Sequence, residues 1–202
     1  MYRNIVFDIG GVVVNYNPKD YLADRFFNEK LEKKLYDAVF GRAEWGLLDS
    51  GEITWAQAKE IFMRRGRQRD MAVEMQCLLD EWVDMFTTKK AVVTLMRILK
   101  KKGFNLYYLS NISRETFFYL SGRSFWRVFD GGIASFEVKA CKPDPKIFEA
   151  LLKKYNLSPE ETIFTDDQRE NSLAAFDAGI TGIHFLSVQS FCKMLVQYGI
   201  DV

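Results

Sequence analysis

Three short apolar runs in this chain stop abruptly on polar groups. Ile5-Val6-Phe7 ends on Asp8, Phe104 to Leu109 ends on Ser110-Asn111, and Thr162 to Thr165 ends on Asp166-Asp167. Lys142 stands in the loop after a fourth run, Ile133 to Phe136. Carboxylates from two separate strands suit Mg²⁺, which takes oxygen ligands and keeps room for waters and a substrate phosphate. A hydroxyl, a backbone N–H at a helix start and a lysine suit the remaining oxygens of a phosphoryl group. An Asp beside a metal can also act as a nucleophile on phosphorus, giving an aspartyl-phosphate. One polar strand end is as readily the N-cap of the next helix. Four of them, gathered at one edge by a common sheet, point to an anion site holding both acid and base. Phosphoryl transfer needs mainly positioning and charge neutralisation, and this set supplies both.

The apolar patterning gives the elements that would gather them. From Lys89 onward, helical faces alternate with strands: Val92, Leu95, Met96 and Leu99, then Phe104–Leu109; Ile147, Phe148 and Leu151, then Thr162–Thr165; Ala174-Ala175, then Ile183–Leu186. Such alternation implies parallel pairing with helical crossovers. Between Asn15 and Thr88 the pattern is helical instead, with breaks at Gly41, at Asp49-Ser50-Gly51 and around the basic run Arg64-Arg65-Gly66-Arg67. Ser158-Pro159-Glu160-Glu161 has the form of a capping box with proline at the first helical position. The expected fold class is α/β: a doubly wound, mostly parallel Rossmann-like sheet with a helical cap inserted after the first strand. Residues 1–14 and 89–202 would form the core and 15–88 the cap. In such a sheet ligands bind at the carboxyl ends of the strands, where the order reverses.

Composition narrows the partners. The 202 residues are 48% hydrophobic and 15% aromatic, enough for a sizeable core. Lys+Arg of 28 against Asp+Glu of 27 leaves +1, so nothing electrostatic favours nucleic acid. No apolar run approaches the roughly 20 residues of a membrane span, and Met1 to Asn4 lead straight into a strand, so no signal peptide is expected. Three unpaired cysteines, Cys77, Cys141 and Cys192, favour a reducing, cytoplasmic compartment. A small molecule is the expected partner.

The polar residues lie within motifs that resemble those of the haloacid dehalogenase superfamily. Phe7-Asp8-Ile9-Gly10-Gly11-Val12 is similar to its first motif and Leu109-Ser110-Asn111 to its second. Lys142-Pro143-Asp144-Pro145 with Phe148 resembles the third, and Phe164-Thr165-Asp166-Asp167 with Asn171 and Ala174-Ala175 the fourth. The four stand in the family's order and cover essentially the whole chain. Gly10 to Pro18 and Asp49-Ser50-Gly51-Glu52-Ile53-Thr54 look like the small-molecule phosphatases related to bacterial glucose-1-phosphatases and to the N-terminal phosphatase domain of soluble epoxide hydrolase.

The resemblance implies roles. Asp8 would be the nucleophile and a Mg²⁺ ligand, the Gly10 carbonyl a main-chain ligand, Asp167 the second metal carboxylate and Asp166 an outer or water-mediated one. Ser110, the Asn111 backbone and the Gly10-Gly11 turn would meet the phosphoryl group of a small phosphorylated metabolite, a sugar or organic phosphate. Lys142 would neutralise the Asp8–phosphate pair, and Asn171 would orient a metal water or the lysine. One departure stands out: most phosphatases of the superfamily carry a second Asp two residues after the nucleophile as general acid and base, and here that residue is Gly10.

That departure keeps two other readings open, a metal-independent 2-haloacid dehalogenase and a weakly active or non-catalytic member of the fold. Asp49 is the candidate substitute acid, although its place before a predicted helix near Thr54 also fits plain capping. His184 is expected to pack in or at the edge of a strand and Cys141 to be a buried thiol; the Arg64–Arg67 run fits a solvated helix end or loop as well as an attractor of anionic substrates, and Trp45, Trp55 and Trp82 are expected to fill the cap interior, with room for one of them to line the substrate cleft.

Overall fold

Asn4–Phe7 is apolar after its first residue, and all four residues are buried, the mark of a strand covered on both faces. In the computed structural model, which describes residues 1–202, this strand (β1) is the middle of a five-stranded, all-parallel sheet. The other strands are β2 (Asn105–Ser110), β3 (Gly131–Ala134), β4 (Thr162–Asp166) and β5 (Thr181–His184), in the order β3-β2-β1-β4-β5. The chain fills one side of β1 and then the other, so the order reverses between β1 and β4. The register brings the polar ends together: Phe7 lies level with Tyr108 on one side and Thr165 on the other. The Asp8 amide continues the ladder by donating to the Thr165 carbonyl at 2.9 Å. Asp8 and Asp166 therefore leave the sheet side by side.

Alternate side chains of the strands enter two separate cores. Ile5, Phe7, Leu106 and Tyr108 join the larger cluster, and Val6, Tyr107 and Leu109 the smaller one on the opposite face. The stretch after β1 is entirely helical: α1 (Pro18–Phe26), α2 (Glu29–Ala38), α3 (Ala43–Asp49), α4 (Trp55–Gln68), α5 (Ala72–Glu81) and a 3₁₀ turn, Trp82–Met85. Then come α6 (Lys90–Lys101), α7 (Arg114–Ser121), a short α8 (Ser135–Val138), α9 (Pro145–Tyr155), α10 (Arg169–Asp177) and α11 (Val188–Gln197). Helix α9 packs into the smaller core through Ile147, Phe148 and Leu151, whereas α6 and α11 pack into the larger through Val92, Leu95, Phe191 and Leu195. The two stretches of chain linking the helical region to the sheet run beside each other: the Asn15 amide donates to Thr87 O at 2.8 Å and the Lys89 amide to Val13 O at 2.9 Å.

Several local expectations are corrected. The run Arg64–Arg67 does not break a helix, because α4 continues to Gln68 and turns only at Arg69 and Asp70, whose φ is +54°. Gly66 lets α4 and α5 approach closely: a Cβ there would sit 2.8 Å from the Met75 Cβ. Arg64 and Arg67 are exposed near the end of α4, as a solvated helix end requires, whereas Arg65 pairs with Glu44 and donates to Ala38 O at 3.1 Å. Strands β3 and β5 begin earlier than their β-branched residues suggest and stop sooner, with Phe136 in α8 and Leu186 beyond the sheet. Glycines stand early in both strands because no side chain fits: a Cβ on Gly182 would fall 1.9 Å from the Ser172 carbonyl oxygen. Ser158 makes no side-chain cap over the 3₁₀ turn Pro159–Glu161. Trp45 and Trp82 are buried with rings in edge contact at 5.4 Å, and Trp55 lies against Trp82 at 5.0 Å. His184 is exposed on the edge strand, and Cys141 is half-buried.

Candidate active site

Lys142 is the hub of the strand ends. Its ammonium, 1% exposed as a side chain, meets three acceptors: Asp8 Oδ1 at 2.9 Å, Asp166 Oδ2 at 2.6 Å and the Leu109 carbonyl at 2.8 Å. Three N–H donors against three acceptors leave it saturated. Burial works against its charge, but the carboxylates of Asp8 and Asp166 outweigh burial and hold it protonated more firmly than usual. Asp166, fully buried, is tied down as well. Its Oδ1 accepts from the Gln168 amide at 2.8 Å, and Asn171 Nδ2 reaches both of its oxygens at 3.1 Å. With Lys142 on Oδ2 the carboxylate is fully engaged, so Asp166 anchors the lysine rather than facing a ligand. Asn171, expected beside a metal water or the lysine, is bonded instead to Asp166.

Asp8 and Asp167 keep free oxygens. Asp8 accepts from the Ile9 amide and Lys142, both through Oδ1, and Asp167 receives only Gln168 Nε2, at 3.2 Å, on Oδ2. Carboxylate oxygens of Asp8, Asp166 and Asp167 all lie within 4.8 Å of one another. Burial raises the carboxyls of both Asp8 and Asp167, and the Asp166 charge adds to each. Closely spaced carboxylates with free oxygens, held in a buried corner, fit a hard divalent cation. Gly11 permits the approach in two ways. Its φ is +72°, and a Cβ there would lie 2.2 Å from Asp167 Oδ2. On the far side Lys89 donates to the Gly11 carbonyl.

Next to Asp8 in the chain, Ile9 and Gly10 line a cavity of about 60 Å³ together with Ser110, Asn111 and Thr116, the apolar Trp45, Phe86, Ile112 and Leu120, and the side chains of Tyr16 and Asp49. Ser110 is buried at the end of β2, and its hydroxyl acts to lower the Asp8 carboxyl against the rise from burial. The Asn111 side chain takes an unforeseen part: it forms two bonds with the Lys142 backbone. Asp49 is not a helix cap. It ends α3, while Thr54 caps α4 with Gln57 in a reciprocal box. Burial pushes the Asp49 carboxyl up to about 7; the Ser113 amide opposes this and the Asp8 charge reinforces it. Tyr16, absent from the sequence-based set, stacks on Phe86 with centroids 5.7 Å apart and rings 10° from parallel. Its position eight residues past Asp8 carries no periodic signal, because a loop side chain is aimed by packing alone.

A family description, hydrolase of the haloacid dehalogenase-like type, matches residues 2–179. The sesquiterpene phosphatase astK of Aspergillus oryzae is 27% identical over 198 residues, covering 97% of this chain and 96% of its own length. The D-ribitol-5-phosphate phosphatase of Bacteroides thetaiotaomicron is 26% identical over 185 residues, covering 85% of each. A HAD family enzyme from the same bacterium, solved with magnesium and inorganic phosphate, superposes with a TM-score of 0.68 at 23% identity, covering 90% of this chain and 92% of its own. No helix here is long and apolar enough to cross a membrane.

Proposed function

Because the chain belongs to the haloacid dehalogenase-like hydrolase family, we propose that it is a Mg²⁺-dependent phosphomonoesterase working through an aspartyl-phosphate on Asp8. The observation that carries this reading is the cluster of Asp8, Asp166 and Asp167 around a saturated lysine at the sheet's switch point. Asp8 and Asp167, with the Gly10 carbonyl, would hold the cation. Bound there, it would neutralise phosphoryl charge and offset the crowding of the two carboxylates. The free Asp8 oxygen attacks phosphorus, the ester P–O bond breaks, and the alcohol leaves with a proton. Water then attacks the phosphorus of the aspartyl-phosphate, releasing inorganic phosphate and restoring the carboxylate. Lys142 stays charged throughout and steadies Asp8, while Ser110 and the Asn111 amide meet the phosphoryl oxygens.

Residues 15–88 would act as a cap over the sheet. The apolar part of the cavity lining supports a phosphate ester of a predominantly apolar alcohol. Trp45, Phe86, Ile112 and Leu120 offer hydrocarbon, and no lysine or arginine lines the wall to meet a second anion. The named activity of the sesquiterpene phosphatase agrees with that preference.

Phosphate release should be measured with Mg²⁺ over prenyl, aryl and polyol monophosphates. Turnover fastest on the apolar esters, abolished by a chelator and by Asp8→Asn, is the expected result. Preference for polyol phosphates would overturn the substrate class. Halide release from a 2-haloacid, indifferent to chelator and without phosphatase turnover, would overturn the reaction.

A further inference from the structure

Expelling an alcohol from phosphorus requires a proton for its oxygen, and the residue two places after Asp8, Gly10, has no side chain to give one. The space beside it belongs to Tyr16, whose Cβ would stand 3.7 Å from a Gly10 Cβ. Lys142 cannot serve, since all three of its N–H groups are engaged and it is held charged. Among the side chains lining the cavity, Asp49 is the single carboxyl and Tyr16 the single phenol. Burial and the Asp49 charge push the phenol far upward, which leaves it the weaker acid of the two.

Asp49 is also fixed in place. Its carbonyl accepts from the Ser135 hydroxyl, so the end of α3 is tied to the start of α8, directly after β3. We infer that Asp49, reaching over from the helical stretch, protonates the leaving alcohol and then takes the proton of the attacking water. The inference rests on the phosphatase reading. In the first step the Asp49 O–H breaks as the P–O ester bond breaks, and the alcohol departs neutral. In the second the ionised carboxylate accepts the water proton as oxygen bonds to phosphorus, which restores the starting state. A carboxyl held near pH 7 by burial has its proton available in neutral solution. The groups around it are Asp8, Tyr16 and the thiol of Cys141, with Glu52 further off and bonded to Ser50.

The test is Asp49→Asn, in the full-length chain with Mg²⁺, on p-nitrophenyl phosphate and on a simple alkyl phosphate. The expected result is a retained nitrophenol burst, slow steady turnover after it, and loss of roughly 10²–10⁴-fold in the rate of alkyl-ester cleavage. Gly10→Asp added to Asp49→Asn restores a substantial part of the alkyl rate, because Gly10 lines the same cavity and the change returns a carboxyl to it. The alkyl rate of the unaltered protein should fall as pH rises through about 7, and Asp49→Asn should lack that limb. Equal losses in the burst and in alkyl cleavage, without rescue by Gly10→Asp, would reduce Asp49 to a positioning residue and overturn the inference. So would alkyl turnover equal to that of the unaltered protein. Absence of any Asp8-dependent burst in the unaltered protein would instead overturn the phosphatase reading on which this stands.

Discussion

Asn111 and Lys142, thirty-one positions apart, are joined by a reciprocal pair of hydrogen bonds. Asn111 Nδ2 donates to the Lys142 carbonyl at 2.9 Å, and the Lys142 amide donates to Asn111 Oδ1 at 2.7 Å. The pair locks the end of β2 to the loop entering α9, so the lysine backbone is fixed on the same scaffold that carries Ser110. The short reach from that backbone to Asp8 and Asp166 depends on the lock.

Asn111→Ala should therefore slow phosphate release by about 10²-fold, the scale on which a small misplacement of a catalytic group acts. It should also lower stability by about 1–3 kcal/mol for the two lost bonds. Asn111→Asp keeps the acceptor and sets a carboxylate oxygen against the Lys142 carbonyl, so it rescues neither. Steady-state kinetics beside urea unfolding measure both effects, and normal kcat in Asn111→Ala would show the lock to be idle.

Gly11→Ala places a methyl where the Asp167 carboxylate stands and forces a φ of +72° on a residue with a Cβ. The variant should need much more Mg²⁺ for half-maximal activity, because Asp167 is the group displaced. Gly10→Ala, with only ordinary contact to Tyr16 at 3.7 Å, should shift the Mg²⁺ requirement less. Activity titrated with Mg²⁺ separates the two.

Lys142→Met leaves Asp8 and Asp166 buried together with no cation between them. Breaking a buried pair by removing one partner costs on the order of 3–5 kcal/mol. For a chain of this size that corresponds to a melting point lowered by roughly 10 °C, and activity should vanish. Calorimetry that found the variant as stable as the parent would contradict the accounting.

Asp49 should make stability fall with rising pH. Its carboxyl is raised in the fold from 3.8 to about 7, so between these values the folded chain keeps a proton that the unfolded chain has lost. The fold loses stability across that window and changes no further above it on this account. Asp49→Asn lacks the penalty and should be the more stable protein at pH 8, by about 1 kcal/mol or more, with the difference vanishing near pH 4. Paired denaturant melts at the two pH values decide it.

Much of this site can be read along the chain. A strand that stops on Asp8, another on Ser110 and a third on Asp166-Asp167 are local patterns, since apolar runs of a few residues mark buried strands without reference to their neighbours. The helices between them impose parallel order, and that order obliges those ends to lie at one edge. The expected meeting of Asp8 with Asp167 is of this kind, and the two carboxylates do come within 4.8 Å.

Other assignments wait for packing. Asp166 and Asp167 are neighbours of one type, yet one is sealed by Asn171, the Gln168 amide and Lys142, the last of these 24 positions away, while the other keeps free oxygens. Gly66 resembles a helix break because glycine is a poor helix former, but the close approach of Met75 overrides that preference. Asp49 reads as a cap because its neighbours along the chain include a helix start, whereas the cavity it faces is built by residues remote in sequence. Backbone periodicity and burial are written locally, so the sequence itself determined the strands and the edge where chemistry gathers. Which oxygen stays free, which carboxyl keeps its proton and which amide holds the lysine depend on distances between remote segments, and only the folded chain sets those.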